Sequence, residues 1–123
     1  MIVGIGTDII EVERIASALR EYGEQFERKV FAPEEIAYCR LTPRRSAERY
    51  AARFAAKEAF SKALGTGIRM GTRWRDIVVR KHPSGKPTLV LHGPLAERCA
   101  GMTLHLSLTH TEGMAMAVVI IER

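Results

Sequence analysis

The stretch Arg53–Thr66, RFAAKEAFSKALGT, predicts the central element of the fold. It is rich in strong helix formers, and Gly65 follows the last apolar residue, where helices often end in a left-handed conformation. At about 100° per residue, small side chains form one flat stripe on this helix: Ala52, Ala56, Ala59 and Ala63. Such a stripe favours close packing against a sheet.

Glu58 and Lys62 lie one turn apart on this predicted helix. The simplest interpretation is an ordinary ion pair on one helix face, which contributes roughly 0.2–0.5 kcal/mol. The alternative is that both groups belong to a functional site. The helix alone favours the ion pair, so the rest of the chain has to decide between the two.

Length and composition indicate a single soluble domain over residues 1–123. Hydrophobic residues make up 46% and charged residues 27% of the sequence. The net charge of +5 favours anionic partners: nucleic acid, phosphorylated ligands or an acidic protein. Cys39 and Cys99 are far apart, which argues against a disulfide framework or a zinc site. No apolar segment approaches the roughly 18 residues of a membrane span, so we expect a cytoplasmic protein without membrane contact.

The N-terminal half is predicted to hold one strand and two helices before the central one. Residues Ile2–Asp8 form a strand whose glycines, Gly4 and Gly6, indicate close approach of another backbone or a ligand. Asp8 ends this strand, where it either caps the next helix or serves a functional site. That next helix ends near Tyr22, and another begins at residues 32–35.

The C-terminal half is predicted to be mainly antiparallel sheet. Residues 76–80 and 87–92 are strands joined by a Pro/Gly turn, and residues 94–101 form a short helix. Residues 103–109 and 114–121 form a terminal hairpin, the second strand of which is β-branched and buried. Together with the helices this pattern predicts an α+β fold.

Few residues of this sequence are candidates for catalysis, metal binding or phosphate binding. His105 and His110 are five apart, so they face opposite sides of a strand and do not chelate one metal together. His110 is either a satisfied core histidine or a phosphate ligand. Asp8 and Glu58, without a nitrogen or sulfur partner, match magnesium, which often uses one or two carboxylates, water and substrate phosphates. Basic turns such as Arg44–Arg45 then supply charge for those phosphates.

Four segments resemble the holo-acyl-carrier-protein synthase family, the small stand-alone 4'-phosphopantetheinyl transferases. They are GIGTDII at 4–10, RFAAKEAFSKALGTG at 53–67, GKP at 85–87 and LSLTHT at 106–111. The resemblance implies a central helix packed on a mainly antiparallel sheet and a homotrimer with clefts between adjacent subunits. It implies magnesium-dependent transfer of the 4'-phosphopantetheine arm of coenzyme A to a serine of apo acyl carrier protein, releasing adenosine 3',5'-bisphosphate, within fatty acid biosynthesis.

The resemblance also implies residue roles. Asp8 and Glu58 match the magnesium ligands, and Lys62 and His110 match residues that face the pyrophosphate. Three arginines match basic positions around the nucleotide: Arg44, Arg45 and Arg53. Other matched positions line the cleft: Phe54, Gly65, Thr66, Gly85, Lys86 and Pro87. The carrier protein is expected to meet Arg14, with Arg20 and Arg28 as helpers.

Several alternatives stay open at this point. The serine proton goes either to Glu58 or to a water molecule that the metal site orients. The first helix also carries Glu13 and Glu21, so its strength as a docking face for an acidic protein is open. A basic RNA-binding domain without enzymatic activity is one competing class, although the few aromatic residues follow helical core patterns. A magnesium-dependent phosphohydrolase is another.

Overall fold

The computed structural model describes residues 1–65 and 73–123, and within them the chain forms five strands and five α-helices. The strands are β1 (Ile2–Glu11), β2 (Ile77–Lys81), β3 (Pro87–Leu91), β4 (Thr103–His110) and β5 (Met114–Glu122). The helices are α1 (Val12–Tyr22), α2 (Glu24–Val30), α3 (Pro33–Arg40), α4 (Ser46–Leu64) and α5 (Gly93–Arg98). Short 3-10 turns at Pro43–Arg45 and Trp74–Asp76 precede α4 and β2.

Both sheets are antiparallel, which confirms the predicted α+β class. The larger sheet has the order β1-β5-β4, and β2 and β3 form a separate hairpin. In the larger sheet Asp8 of β1 pairs with Ala117 of β5, while His110 of β4 pairs with Ala115. The two outer strands, β1 and β4, therefore carry predicted site residues on opposite edges of one sheet.

Helix α4 packs across the larger sheet, as its alanine stripe predicts. The stripe residues Ala56 and Ala59 are fully buried. A Cβ atom added at Gly6 would lie 1.9 Å from the carbonyl oxygen of Ala59, and one added at Gly4 would lie 2.0 Å from that of Ala63. The two glycines are needed because the helix backbone touches the strand backbone there. Since side chains alternate along a strand, Asp8 points to the same face as Gly4 and Gly6, toward α4.

The structure differs from the sequence prediction at two places in the N-terminal half. Strand β1 continues past Asp8 to Glu11, because β5 is long enough to pair with residues 9–11 as well. Asp8 therefore does not cap α1, which begins after Glu11 without a side-chain cap, and the capping interpretation of Asp8 is wrong. Helix α2 was not predicted; Gly23, at φ 53°, turns the chain into it directly from α1.

On the face of the larger sheet that points away from α4, the part formed by β1 and β5 is largely apolar and open. Its exposed side chains include Val3, Ile5 and Ile9 of β1, of which Ile5 is 60% and Ile9 62% exposed. Met116 of β5 lies on the same face and is 36% exposed. An apolar patch of this kind marks a surface for another protein or a second copy of the chain. None of the described helices is long and apolar enough to cross a membrane.

Candidate functional site

Asp8 and Glu58 lie in one pocket between β1 and α4, although fifty residues separate them in the sequence. This carboxylate pocket is also lined by Ile10, Arg14 and Phe54, among others. The ammonium group of Lys62 lies beside Asp8: its Nζ donates to the carbonyl oxygen of Thr7 at 3.0 Å and to Oδ1 of Asp8 at 3.1 Å. Asp8 faces α4 because side chains alternate along β1, and Glu58 and Lys62 lie one turn apart on α4. These two patterns bring the three predicted residues together.

The two carboxylates of this pocket repel each other. Burial raises the pKa of Glu58, and the nearby charge of Asp8 raises it further, while Lys62 opposes the shift. Among the described residues no ion pair within 4 Å joins Glu58 to Lys62, which pairs with Asp8 instead. The interpretation of Glu58 and Lys62 as a helix ion pair is therefore wrong.

The donor set of the pocket fits a hard divalent cation. Both candidate ligands are carboxylate oxygens, and a cation near them would relieve their mutual repulsion. The described residues hold no cluster of three or more His, Cys, Asp or Glu side chains that could bind a metal by itself. Two carboxylates with further positions left to water and substrate phosphate match the usual coordination of Mg²⁺ better than that of zinc.

A second, strongly basic cavity of about 290 Å³ lies on the other side of α4. We call it the basic cavity. The predicted residues Arg45, Arg53, Pro87 and His110 line it, and Arg44 joins Arg45 and His110 in the adjoining surface pocket. His110 is exposed at the end of β4, so the interpretation of this residue as a buried core histidine is wrong.

Arg53 stands out in the basic cavity because it is buried without full hydrogen bonding. The residue is only 5% exposed, and its Nε has no hydrogen-bond partner in the described part of the chain. Buried polar groups nearly always have partners, so an unpaired guanidinium nitrogen beside a cavity is open to a hydrogen bond with an ordered water or a ligand oxygen. A phosphate oxygen is the natural complement of a guanidinium group.

The basic cavity also contains residues that the sequence analysis missed: Tyr38, Arg49 and Lys81. One signal for Arg49 was available, since Arg49 and Arg53 are four residues apart and share one side of α4, and Arg45 precedes the helix at the same spacing. No comparable signal existed for Tyr38 and Lys81, which come from α3 and β2.

Within one chain the predicted site residues therefore form two separate groups. The carboxylate pocket and the basic cavity have no lining residue in common. Asp8 lies on β1 and His110 on β4, and β5 runs between these strands. The structure brings Asp8, Glu58 and Lys62 together, but it does not bring His110 to them.

The predicted loop residues have simpler positions. Gly65 ends α4 in the left-handed conformation, at φ 84°, as the sequence predicted. Gly85, at φ 92°, turns the chain in the β2–β3 hairpin, which places Lys86 and then Pro87 at the start of β3. Phe54 stacks on Trp74, with ring centroids 5.5 Å apart. Thr66 lies outside the described residues.

Arg14 differs from the other two predicted docking arginines, because no carboxylate in the described residues forms an ion pair with it. It lies at the carboxylate pocket. Arg20 is 2.5 Å from a carboxylate oxygen of Glu13, and Arg28 is 3.1 Å from one of Glu24. The acids of α1 and α2 thus neutralise the two expected helpers.

Comparison with known proteins identifies the family to which this chain belongs. A family model described as the 4'-phosphopantetheinyl transferase superfamily matches residues 4–119. The holo-[acyl-carrier-protein] synthase of Koribacter versatilis (strain Ellin345) is 47% identical over 125 residues, which cover 99% of this chain and 99% of that protein. The chain belongs to the holo-acyl-carrier-protein synthase family. It is therefore a transferase of the 4'-phosphopantetheinyl superfamily, which confirms the resemblance found in the sequence.

Solved structures of the synthase family share the fold. The holo-[acyl-carrier-protein] synthase from Neisseria meningitidis has a TM-score of 0.91 and 35% identity, with 100% of both chains covered. A synthase from Bacillus anthracis str. Ames, solved in complex with CoA (3',5'-ADP), has a TM-score of 0.84 and 40% identity, and covers 99% of this chain and 97% of that one.

Proposed function

We propose that this protein transfers the 4'-phosphopantetheine group of coenzyme A to a serine hydroxyl of an apo acyl carrier protein, in a reaction that depends on Mg²⁺ and releases adenosine 3',5'-bisphosphate. The observation that carries the proposal is the pairing of Asp8 and Glu58 in one pocket with Lys62 beside them. Support comes from the family, whose relatives are named holo-[acyl-carrier-protein] synthases, and from the B. anthracis synthase in complex with CoA. We assign the whole chain, residues 1–123, to this one domain.

Asp8 and Glu58 would hold the magnesium ion. When bound, Mg²⁺ supplies positive charge against the pyrophosphate of coenzyme A, which lowers the repulsion that an attacking oxygen meets. Lys62, fixed by Thr7 and Asp8, stabilises the phosphate that leaves. Arg44, Arg45, Arg53 and His110 bind the nucleotide, and the hairpin residues Gly85, Lys86 and Pro87 border it.

The chemical step is an in-line displacement at phosphorus. The serine oxygen of the carrier protein bonds to the phosphorus that bears the pantetheine arm, and the bridging oxygen of the pyrophosphate leaves with adenosine 3',5'-bisphosphate. The serine proton goes to Glu58 directly or through a water molecule that Glu58 orients. As a ligand of the metal ion Glu58 would be a weakened base, which favours the route through the water molecule.

We propose further that the active unit is a homotrimer with each site shared by adjacent subunits. One chain keeps its carboxylate pocket and its basic cavity apart, on the β1 and β4 sides of the sheet. A ring in which the β1 side of one copy meets the β4 side of the next would join the two halves. The open apolar face with Ile5 and Ile9 supplies the area that such an assembly would bury.

We expect light scattering to give a mass about three times the 13.7 kDa of one chain. Ile5→Glu puts a charge on the open apolar face and should release inactive monomers, because a buried unpaired charge is costly. Leu41→Glu is the matched control: Leu41 is 73% exposed but lies off the sheet, so the assembled mass should be kept. A fully active monomer would contradict the shared site.

Docking of the carrier protein is proposed to depend on Arg14, with Arg20 and Arg28 as helpers. Arg14→Glu should raise the KM for apo acyl carrier protein by about tenfold at low ionic strength, and the effect should shrink as salt screens the charge. Arg20→Glu is the comparison, and its effect should be smaller because Glu13 already neutralises Arg20. If both variants use the carrier protein as well as the wild type does at low salt, another surface docks it.

Intact-mass spectrometry tests the proposed reaction. The purified protein is incubated with coenzyme A, Mg²⁺ and an apo acyl carrier protein, and the carrier should gain the mass of one phosphopantetheine group. Consumption of coenzyme A without a gain on the carrier would indicate a phosphohydrolase instead. RNA binding without either reaction would indicate the nucleic-acid-binding alternative.

A further inference from the structure

Five arginines outside the basic cavity are held by carboxylates. Arg40 forms a bidentate pair with Glu27, and Arg73 lies 3.2 Å from an oxygen of Asp76. Arg80 lies 3.0 Å from Glu34, and Arg20 and Arg28 have the acidic partners described above. A carboxylate fixes an arginine but also neutralises it, so these five side chains offer little net charge to a ligand.

The cations around Tyr38 are held differently. The guanidinium carbon of Arg53 lies 4.2 Å from the centroid of the Tyr38 ring, and that of Arg49 lies 4.5 Å from it. Nζ of Lys81 lies 5.4 Å from the same centroid. Glu48 also lines this cavity, but no ion pair within 4 Å joins any of these three cations to a carboxylate in the described residues.

An aromatic ring can position a cation without cancelling its charge. The ring face attracts a guanidinium or ammonium group through its quadrupole, but it carries no net charge of its own. Arg49 gains a second fixed point, since its Nη1 donates to the carbonyl oxygen of Tyr38 at 3.2 Å. Burial raises the pKa of Tyr38, but a hydrogen bond with Lys81 and the charges of Arg49, Lys81 and Arg53 outweigh burial and lower that pKa.

We propose that Tyr38 is a positioning residue of the basic cavity: its ring fixes Arg49 and Arg53 without an ion pair to a carboxylate, so that they bind a phosphate group of the nucleotide substrate. This phosphate accepts a hydrogen bond from Nε of buried Arg53, which has no other partner in the described residues. The proposal rests on the proposed function, because it takes coenzyme A as the source of the phosphate. It adds Tyr38, Arg49 and Lys81 to the residues expected from the family resemblance.

The test replaces the ring and its hydroxyl separately. Tyr38→Leu should raise the KM for coenzyme A and the Kd for adenosine 3',5'-bisphosphate by about tenfold. The kcat should change little, because Asp8 and Glu58 line a different pocket and Lys62 is bonded to Asp8 there. Tyr38→Phe keeps the ring, so its KM and Kd should both stay close to the wild-type values. This result would not be expected if changes at Tyr38 acted through a general loss of structure.

Further variants and ligands complete the design. Tyr22→Leu removes a tyrosine that is 55% exposed on α1 and should leave the KM for coenzyme A unchanged. Arg49→Gln removes one ring-held charge and should reproduce the effect of Tyr38→Leu, which keeps the proposal testable if Tyr38→Leu does not fold. Binding of adenosine 5'-monophosphate, which lacks the 3'-phosphate, identifies the phosphate. If Tyr38→Leu binds this ligand as well as the wild type does, the cavity holds the 3'-phosphate. If Tyr38→Leu still binds it more weakly, the cavity holds the 5'-phosphate.

Two outcomes would overturn the proposal. In one, Tyr38→Leu and Arg49→Gln both bind adenosine 3',5'-bisphosphate as the wild type does. In the other, Tyr38→Phe loses as much affinity as Tyr38→Leu, so that the hydroxyl and not the ring is responsible. Because these are binding measurements, they stay separate from the proposed reaction, which fails only if the wild-type protein does not modify the carrier.

Discussion

Asp8→Asn and Glu58→Gln should each lower transferase activity by about a hundredfold or more while the protein stays folded. Each change keeps the shape of the side chain but removes a charge that a hard cation needs. Asn at position 8 leaves Lys62 without its ion-pair partner, yet Lys62 is more than half exposed, so the loss of stability should stay below about 1 kcal/mol. Gln at position 58 removes the repulsion from Asp8 and should not destabilise the fold.

The measurement combines kinetics with a binding readout that needs no turnover. Transfer rates are determined at limiting and at saturating Mg²⁺, and thermal unfolding is followed with and without Mg²⁺ and coenzyme A. Wild-type protein should gain thermal stability from the ligands by mass action, and the variants should gain much less from Mg²⁺. Glu11→Gln, an exposed carboxylate at the end of the same strand, should behave like the wild type in both experiments. If both site variants keep near-normal rates at limiting Mg²⁺, the magnesium site is wrong.

Local sequence patterns predicted most of the fold. Helix α4 ends at Gly65 because glycine adopts the left-handed conformation without strain, and the alanine stripe faces the sheet because only small side chains allow that approach. Both hairpins followed from turn residues between alternating apolar segments. In each case the signal and the structure lie within a few neighbouring residues, which is why the sequence was sufficient.

Features that depend on distant partners were not predictable from local patterns. The extension of β1 to Glu11 is decided by β5, more than a hundred residues later in the chain. The separation of His110 from Asp8 follows from the strand order β1-β5-β4, which no motif encodes. Tyr38 and Lys81 reach the basic cavity from α3 and β2, so their proximity to Arg53 appears only in the folded chain.

Lys57 is the clearest example of such a long-range role. Its position between Ala56 and Glu58 suggested nothing beyond a helical lysine, yet its side chain is fully buried. Nζ donates to Oε1 of Glu35 at 2.7 Å, and to the carbonyl oxygens of Trp74 and Ile77. Glu35 in turn accepts hydrogen bonds from the backbone N–H groups of Ala32 and Val79. This buried network ties α3, α4 and β2 together.

Lys57→Met should therefore destabilise the protein by about 3–5 kcal/mol, the usual cost of leaving one member of a buried ion pair alone. A domain of this size has a total stability of about 5–15 kcal/mol, so the variant should unfold at a much lower urea concentration. Burial already lowers the pKa of Lys57, and Glu35 opposes that shift, so the pair depends on both members. Lys29→Met, at an exposed lysine of α2, is the matched control and should change stability by less than about 0.5 kcal/mol.

The double variant Lys57→Met/Glu35→Leu separates the ion pair from the network. Where two charges interact only with each other, apolar replacement of both is often neutral. Here the replacement would also leave backbone groups of four residues without their side-chain partners: Ala32, Trp74, Ile77 and Val79. Each buried group that cannot find water costs about 1–3 kcal/mol, so the double variant should recover little stability. Urea unfolding curves that place it near the wild type would show that the pair acts alone. The same network fixes the backbone of Trp74, whose ring stacks on Phe54 at the carboxylate pocket, so its loss should also disturb the proposed magnesium site.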